Sequence, residues 1–529
     1  MFYASEKEQT MTRNSRTKNS LLNIVTNGIQ QVWNILLRFI VRTVFIYILG
    51  AEYLGINGLF TSLLTVLSLT ELGLDSAMNY RLYKPLAEGD DKQVRKLMKF
   101  YRLAYRVIGG IIFILGIALI PLLPYMISDY SRLDTLGINA ALIFVLYLTQ
   151  SVTSYLFFAY CSTVVKADQK MYLLNNASLV IDTVSGVAQI AVLLLTHDFV
   201  IYTIVLVVFS IITNLVYAII AKKQYPQFFT PEEDSLSKEE ILELFKDCGA
   251  LFIFKVDSAV MNAAGNIILS IFSGLAVVGI YSNYLIIYLS SKGIFQRLYA
   301  SVKASVGNVF AVEEEAKQYL IFEVMNMITV LLYGTTGILI ACVANEFIEI
   351  WIGTDYVLAQ PFSILMGIEL LLSGLKLNLN QIRNASGVFR QMWWRPLIGI
   401  VINLGVSLAL VQYLGPSAVV LGIICAALFA NLAVDPSLIH KYSFNGYKPV
   451  SYYYKKNLLF ILLLFIVGSA NFALCSWINV GVPIINLAVH ILICLASTPV
   501  VFMLVYRNKP EMKYLIDKGV SLKKKVLKR

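Results

Sequence analysis

Along the chain, apolar residues run in long blocks separated by short polar stretches, and within a block apolar and polar positions do not alternate. A membrane-crossing helix needs about 20 predominantly apolar residues, whereas a barrel strand needs about 10 of alternating character. The pattern therefore predicts helices. It places about 14 spans, near 21–49, 53–80, 98–124, 137–164, 173–195, 199–221, 248–272, 275–303, 320–345, 359–384, 393–413, 417–437, 457–480 and 483–507. The longest polar interval, 222–247, contains Tyr225-Pro226 and the run Pro231-Glu232-Glu233-Asp234. Within it, Leu236 to Phe245 has the apolar spacing of a helix lying on a membrane surface.

The expected organisation is an all-α polytopic membrane protein with two six-helix lobes and a C-terminal helix pair. A tail at 1–20 precedes the first lobe at 21–221, and the linker at 222–247 leads to the second lobe at 248–437. The terminal pair occupies 457–507, and a basic tail fills 508–529. Weak echoes between the halves fit a duplication. Arg81-Leu82-Tyr83 and Arg297-Leu298-Tyr299 are 216 residues apart, Asn214-Leu215 and Asn431-Leu432 217, and Ala167 and Ala385 218. With an even number of spans in each half, such repeats are parallel, related by an axis along the membrane normal.

Composition excludes a set of soluble domains: 58% of the residues are hydrophobic, only 14% are charged, and the mean hydropathy is +0.71. A soluble chain carries about 25% charged residues. The net charge of +11 invites a nucleic-acid reading until the charges are placed. With the N-terminus inside, 37 of the 43 Lys and Arg fall in cytoplasmic segments, Arg132 falls outside, and Arg38, Arg42, Lys255, Lys292 and Lys376 lie within spans. This is the positive-inside pattern, with both termini cytoplasmic. The charge orients the protein in its membrane, and no nucleic-acid partner is expected. The basic tail from Lys509 to Arg529 suits anionic lipid headgroups.

Chemistry based on metals or thiols finds no sequence basis. The six cysteines (Cys161, Cys248, Cys342, Cys425, Cys475 and Cys494) stand singly, and His197, His440 and His490 are far apart. No cofactor is implied, because Gly-Lys and Asp-x-Asp motifs are both absent and the outer loops are short. No catalytic residue is assigned, and the expectation is a protein that is not an enzyme. The N-terminus lacks the pattern of a cleaved signal peptide.

Polar residues inside spans are costly in lipid and mark function or packing. In the first span Asn23, Asn27, Gln30, Gln31, Asn34, Arg38 and Arg42 recur at steps of three and four, along one helix face. That face should meet protein or a water-filled cavity, and Arg38 lies roughly 16 Å from the outer end, too deep for easy snorkelling. The second span carries Thr61, Thr65, Ser68, Glu71, Asp75 and Asn79, with Glu71 and Asp75 forming an i, i+4 carboxylate pair. Glu71 is placed to meet the polar face of the first span. Lys255 and Asp257 lie near the start of the seventh span without sharing a face. Lys292 and Lys376 suit snorkelling or a cavity wall, and Asp182 and Asp435 suit caps or a cavity. Cations distributed over both halves suit a phosphate-bearing substrate, with Arg offering a bidentate fork.

The run Leu49-Gly50-Ala51-Glu52-Tyr53-Leu54-Gly55-Ile56-Asn57-Gly58-Leu59-Phe60, followed by Glu71-Leu72-Gly73-Leu74 and Tyr83-Lys84-Pro85-Leu86-Ala87, resembles the Wzx-type flippases of bacterial capsule and O-antigen assembly. That family belongs to the multidrug/oligosaccharidyl-lipid/polysaccharide exporter superfamily. The resemblance implies a MATE-like fold in the bacterial cytoplasmic membrane. It implies undecaprenyl-pyrophosphate-linked oligosaccharide as substrate, a cationic cavity, and alternating access coupled to H+ or Na+. Polysaccharide polymerase machinery is a candidate further partner. Substrate-binding candidates are Arg38, Arg42, Asn34, Gln31, Asn27, Lys255, Lys292 and Lys376, and ion-coupling candidates are Glu71, Asp75 and Asp257. The alternative is an exporter of drugs or other amphipathic small molecules from the same superfamily.

Overall fold

The computed structural model describes residues 2–71, 73–156, 158–230, 235–388 and 390–526. The acidic run of the linker and the last three residues of the basic tail lie outside the described residues. Among those described the chain is 88% helical and contains no strand. Among the described residues twelve helices are long and apolar enough to cross a membrane, or thirteen when one bent pair is taken as a single span. The chain divides into two compact units, Met1–Gly279 and Ile280–Arg529. It is a multi-pass helical membrane protein.

The first unit opens with α1 (Phe2–Leu49), stopped by Gly50 at φ 88°. Helix α2 (Ala51–Leu67) tightens into a 3-10 turn at Ser68–Glu71, and α3 (Leu74–Glu88) restarts after Gly73. Gly73 sits in the left-handed region at φ 84°, which a residue with a Cβ resists, so the second expected span is two helices rather than one. Asp90 caps α4 (Asp91–Leu119) by accepting from the Gln93 amide at 2.9 Å. Short α5 (Leu123–Met126) and α6 (Tyr130–Thr135) follow, and then α7 (Ala140–Leu156) and α8 (Cys161–Ala167), the bent pair that stands in place of the fourth span. Next come α9 (Met171–Thr196), α10 (Phe199–Gln224), α11 (Lys238–Phe272) and the first residues of α12 (Leu275–Val312).

A capping box starts α11: Ser237 Oγ accepts from the Glu240 amide at 3.1 Å and Glu240 Oε2 from the Ser237 amide at 2.7 Å. The helix then runs unbroken into the seventh span, so the helical part of the linker is an extension of that span. Its start is tied to the rest of the unit by Arg81–Glu243 at 3.1 Å and by Gln93 donating to Glu240 at 2.9 Å. Below lies a core that includes Met78, Leu82, Leu97, Val164, Ala221 and Leu244. At the other end of the unit, backbones cross without side chains between them. A Cβ on Gly55 would lie 1.9 Å from the Leu275 oxygen, and one on Gly279 2.0 Å from the Ala51 oxygen.

The second unit holds the rest of α12 with α13 (Glu315–Ile352), α14 (Gln360–Ser386), α15 (Arg395–Leu414), α16 (Pro416–Ala426), a π-turn at Ala427–Leu432, α17 (Asp435–Tyr442), α18 (Val450–Trp477), α19 (Pro483–Tyr506) and α20 (Pro510–Val526). Helix α12 contains the expected span 275–303 but is not among the twelve apolar helices; it carries Asn283, Lys292 and Arg297. Helices α13 and α14 cross at Gly337 and Gly367, where a Cβ on Gly367 would lie 2.3 Å from the Gly337 oxygen. At the π-turn, Arg395 Nε is 3.1 Å from Asp435 Oδ1 and its Nη1 donates to Asn431, with the Arg395 and Asp435 side chains each only 2% exposed. Asp435 is thus half of a buried ion pair. Glu511, in the first turn of α20, is also buried and pairs with Lys456, which lies 2.8 Å from Glu323.

Large apolar side chains left exposed fit a lipid environment. On α1 they form the stripe Val25, Ile29, Val32, Leu36 and Ile40. Tyr47, Tyr125, Tyr413 and Trp477, near the C-terminal ends of α1, α5, α15 and α18, stand out as interfacial anchors.

Candidate functional site

The break between α2 and α3 is the chemical centre of the first unit. It leaves Glu71 in the last turn before Gly73 and Asp75 in the first turn after it. Helix α4 supplies Tyr101 and Tyr105, one turn apart, with ring centroids 4.4 Å from each other. The Tyr101 hydroxyl is 3.0 Å from Asp75 Oδ1 and 2.8 Å from the Tyr105 hydroxyl, which is 3.3 Å from Glu71 Oε1. A continuous chain Glu71–Tyr105–Tyr101–Asp75 results. Tyr155 of α7 also engages Glu71. Asn79 donates to Asp75 Oδ2 at 3.3 Å, and Lys166 of α8 stands 3.9 Å from Asp75 Oδ1.

The chain has three oxygen–oxygen contacts and two hydroxyl protons. If both carboxyl groups are ionised, each hydroxyl serves only one of its neighbours and one contact has no proton in it. A third proton, on either carboxyl end, completes all three links. Lys255 of α11 lies over the break, because a Cβ on Gly73 would be 3.5 Å from its Cε and 3.7 Å from its Nζ. The structure therefore brings together Glu71, Asp75 and Lys255 from the sequence candidates. Asp257, two residues along α11, is buried.

The polar stripe of α1 meets α9, which runs parallel to it. Asn23 donates to the Gln169 oxygen at 2.7 Å and accepts from the Tyr172 amide at 2.7 Å. Asn27 accepts from Asn175 at 2.9 Å, and Trp33 donates to Thr183 at 2.8 Å. Asn34 engages Asp182, and the charge of Arg38 acts on that carboxylate. The acid beside Arg38 is thus Asp182, and Glu71 meets tyrosines of α4 and α7 in place of the first span. The stripe faces protein, as the cost of burying amides in lipid requires. Arg38 keeps an exposed side chain, Gln31 is half-buried, and Arg42 is half-buried beside Tyr202.

In the second unit Lys292 donates to the Tyr288 hydroxyl at 3.1 Å, and Tyr288 in turn engages Glu369 and Ser373 on α14. Glu369 is 8% exposed and also has Tyr281 and Tyr333 as neighbours. Lys376 is half-buried, two turns further along α14. Sequence reasoning named Lys292 and Glu369 as charges within spans but did not join them through Tyr288, and it missed Tyr101, Tyr105, Tyr155 and Lys166. One signal was present: Glu369 is the only acid in an otherwise apolar stretch of α14. Among the described residues no group of three or more His, Cys, Asp or Glu is arranged to hold a metal ion.

No protein-family model matches the chain, and no curated protein matches it by sequence. Solved structures match by fold. One is the lipid II flippase MurJ in an inward closed conformation, at a TM-score of 0.66 and 13% identity over 92% of this chain and 99% of that one. A multidrug resistance MATE family transporter of the MOP superfamily, inward-facing, matches at 0.56 and 13% identity over 76% of this chain and 92% of that one. A point mutant of the Vibrio cholerae MATE transporter VcmN matches at 0.54 and 13% identity over 79% of this chain and 96% of that one. The tyrosine–carboxylate chain and the broken α2–α3 helix are therefore carried on the fold shared by MATE transporters and MurJ.

Proposed function

We propose that the chain is a flippase that moves undecaprenyl-pyrophosphate-linked oligosaccharide repeat units across the bacterial cytoplasmic membrane for capsule or other surface polysaccharide, making and breaking no covalent bond. The observation that carries this reading is the likeness to MurJ over 92% of the chain, against 76% and 79% for the two MATE transporters. The sequence resemblance to Wzx-type flippases points the same way. Arg38, with its exposed guanidinium, is the cation offered to the phosphates; Arg42 and Lys255 add positive charge in the first unit, as Lys292 and Lys376 do in the second. Gln31 remains available to sugar hydroxyls, whereas Asn27 and Asn34 already serve α9.

The coupling ion in this reading is a proton. The support is the proton count at Glu71–Tyr105–Tyr101–Asp75, where one added proton completes a hydrogen-bonded path between two carboxyl groups. A carboxylate whose surroundings change with access state gains and loses its proton accordingly. Discontinuous helices at such positions are a recurring feature of secondary transporters.

The test is translocation of a labelled lipid-linked oligosaccharide in vesicles of purified protein, with and without proton and sodium gradients, comparing wild type with Arg38→Ala. Movement driven by a proton gradient and lost in the variant is expected. No movement under any gradient, with folded protein, overturns the reading. The MATE likeness favours a second reading, export of amphipathic small molecules, which drug-resistance profiles of cells with and without the gene would reveal.

A further inference from the structure

His490 sets the register of three helices in the second unit. Its Nδ1 lies 2.7 Å from Glu346 Oε2 on α13, and its Nε2 lies 3.0 Å from the carbonyl oxygen of Ile478 just past α18. One turn from this layer, each helix carries a cysteine. Cys342 precedes Glu346 by four residues, Cys475 precedes Ile478 by three, and Cys494 follows His490 by four. Helix α19 runs antiparallel to α13 and α18, so all three steps lead the same way. Residues one turn apart share a helix face, and the three thiols form a second layer beside the first. Within it Cys494 has both Cys342 and Cys475 as neighbours. All three are free thiols; Cys494 is buried, while Cys342 and Cys475 are half-buried.

We propose that this layer is a redox modification site, in which a peroxide closes a disulfide between Cys494 and one of its two neighbours and so staples α19 to α18 or to α13. A half-buried thiol, Cys475 or Cys342, meets the oxidant first. Its sulfur attacks a peroxide oxygen, the O–O bond breaks, and a sulfenic acid and water are formed. The Cys494 sulfur then attacks the sulfenic sulfur, the S–O bond breaks, and the departing hydroxyl leaves as water with the Cys494 proton. Two thiols give up two electrons, hydrogen peroxide accepts two, and two waters result. The third thiol remains beside the new bond as a partner for exchange, so the bond can pass between the two neighbours without leaving Cys494.

The experiment uses the full chain in lipid nanodiscs, treated with hydrogen peroxide, blocked with N-ethylmaleimide and analysed by mass spectrometry without reduction. Wild type is expected to lose two of its six thiols and to yield peptides linking Cys494 to Cys475 or to Cys342, the linkage identifying which neighbour is used. Cys494→Ala is expected to form no disulfide among the remaining two, while Cys342→Ala and Cys475→Ala each still form one through Cys494. Peptide mapping of the wild type does not depend on how the variants fold. Retention of all six thiols by the wild type, or a linkage between Cys342 and Cys475 that excludes Cys494, would overturn the proposal.

Discussion

Tyr105→Phe removes one oxygen from the middle of the carboxylate–tyrosine chain and leaves its ring in place against Tyr101 and Tyr155, whose centroids are 4.4 and 5.5 Å away. With the third proton in place on the Asp75 end, two links go: the 2.8 Å contact to Tyr101 and the 3.3 Å contact to Glu71. A neutral link contributes about 1 kcal/mol net and one to a charged group about 1.5–3 kcal/mol, with the long Glu71 contact taken at the lower figure. The gross loss is then about 2.5 kcal/mol. Both carboxyl groups keep a partner in the variant, Asp75 through Tyr101 and Glu71 through Tyr155, so no acceptor is left bare. The net cost to stability should fall to about 1–2 kcal/mol, which a folded protein tolerates. The effect on coupling is not graded in the same way, because the path between Glu71 and Asp75 is interrupted. In vesicles, translocation by Tyr105→Phe should proceed without acceleration by an imposed proton gradient. A double-mutant cycle of Tyr105→Phe with Glu71→Gln should show a coupling energy of about 1.5 kcal/mol in unfolding experiments. A variant with an undiminished response to the gradient, or a cycle additive to within about 0.3 kcal/mol, would refute the reasoning.

Three further outcomes follow from packing and electrostatics. Gly367→Val places a branched side chain where even a Cβ would lie 2.3 Å from the Gly337 oxygen; α13 and α14 must part, and thermal unfolding should show a loss of at least about 1–3 kcal/mol. Breaking the buried pair with Asp435→Asn or Arg395→Met should cost about 3–5 kcal/mol, whereas Arg395→Met with Asp435→Leu should be far milder, because no buried charge is then left alone; denaturation midpoints of the three variants decide this. The Glu240 carboxyl is held below the usual carboxylate range by the Ser237 amide and the Gln93 side chain. A depressed folded pKa means its contribution is present above the unfolded value of about 4.3 and is lost as pH falls through the lower folded value. Hydrogen exchange at the start of α11 should therefore accelerate in that acid window, and Ser237→Ala should bring the same acceleration at neutral pH.

Helical spans could be read from the sequence because the cost of apolar blocks in water is local and additive. The break at Gly73 could not, since one glycine in an apolar block reads equally well as a packing contact. Glu71, Asp75 and Lys255 stood out because charge in a span is rare. Tyr101, Tyr105 and Tyr155 did not, being 3 of 31 tyrosines whose ordinary place is the interface. Pairing between distant segments was invisible for a simpler reason. The partner of Asn27 lies 148 residues away, and periodicity reports which face of a helix is polar without reporting what that face meets. The single cysteines became a layer for the same reason.

The ladder between α1 and α9 also limits how these two helices can move. Its rungs join residues 148 to 150 positions apart, from Asn23 with Tyr172 through Asn27 with Asn175 to Trp33 with Thr183. A slide of one full turn, about 5.4 Å, is the smallest that returns the facing sides to one another. In that register Asn27 would stand opposite Leu179 and Asn34 opposite Gly186, neither of which has a side chain to receive it. In that direction the ladder has no second register. A slide of α1 that way would have to break the rungs that hold the height of Arg38 against α9.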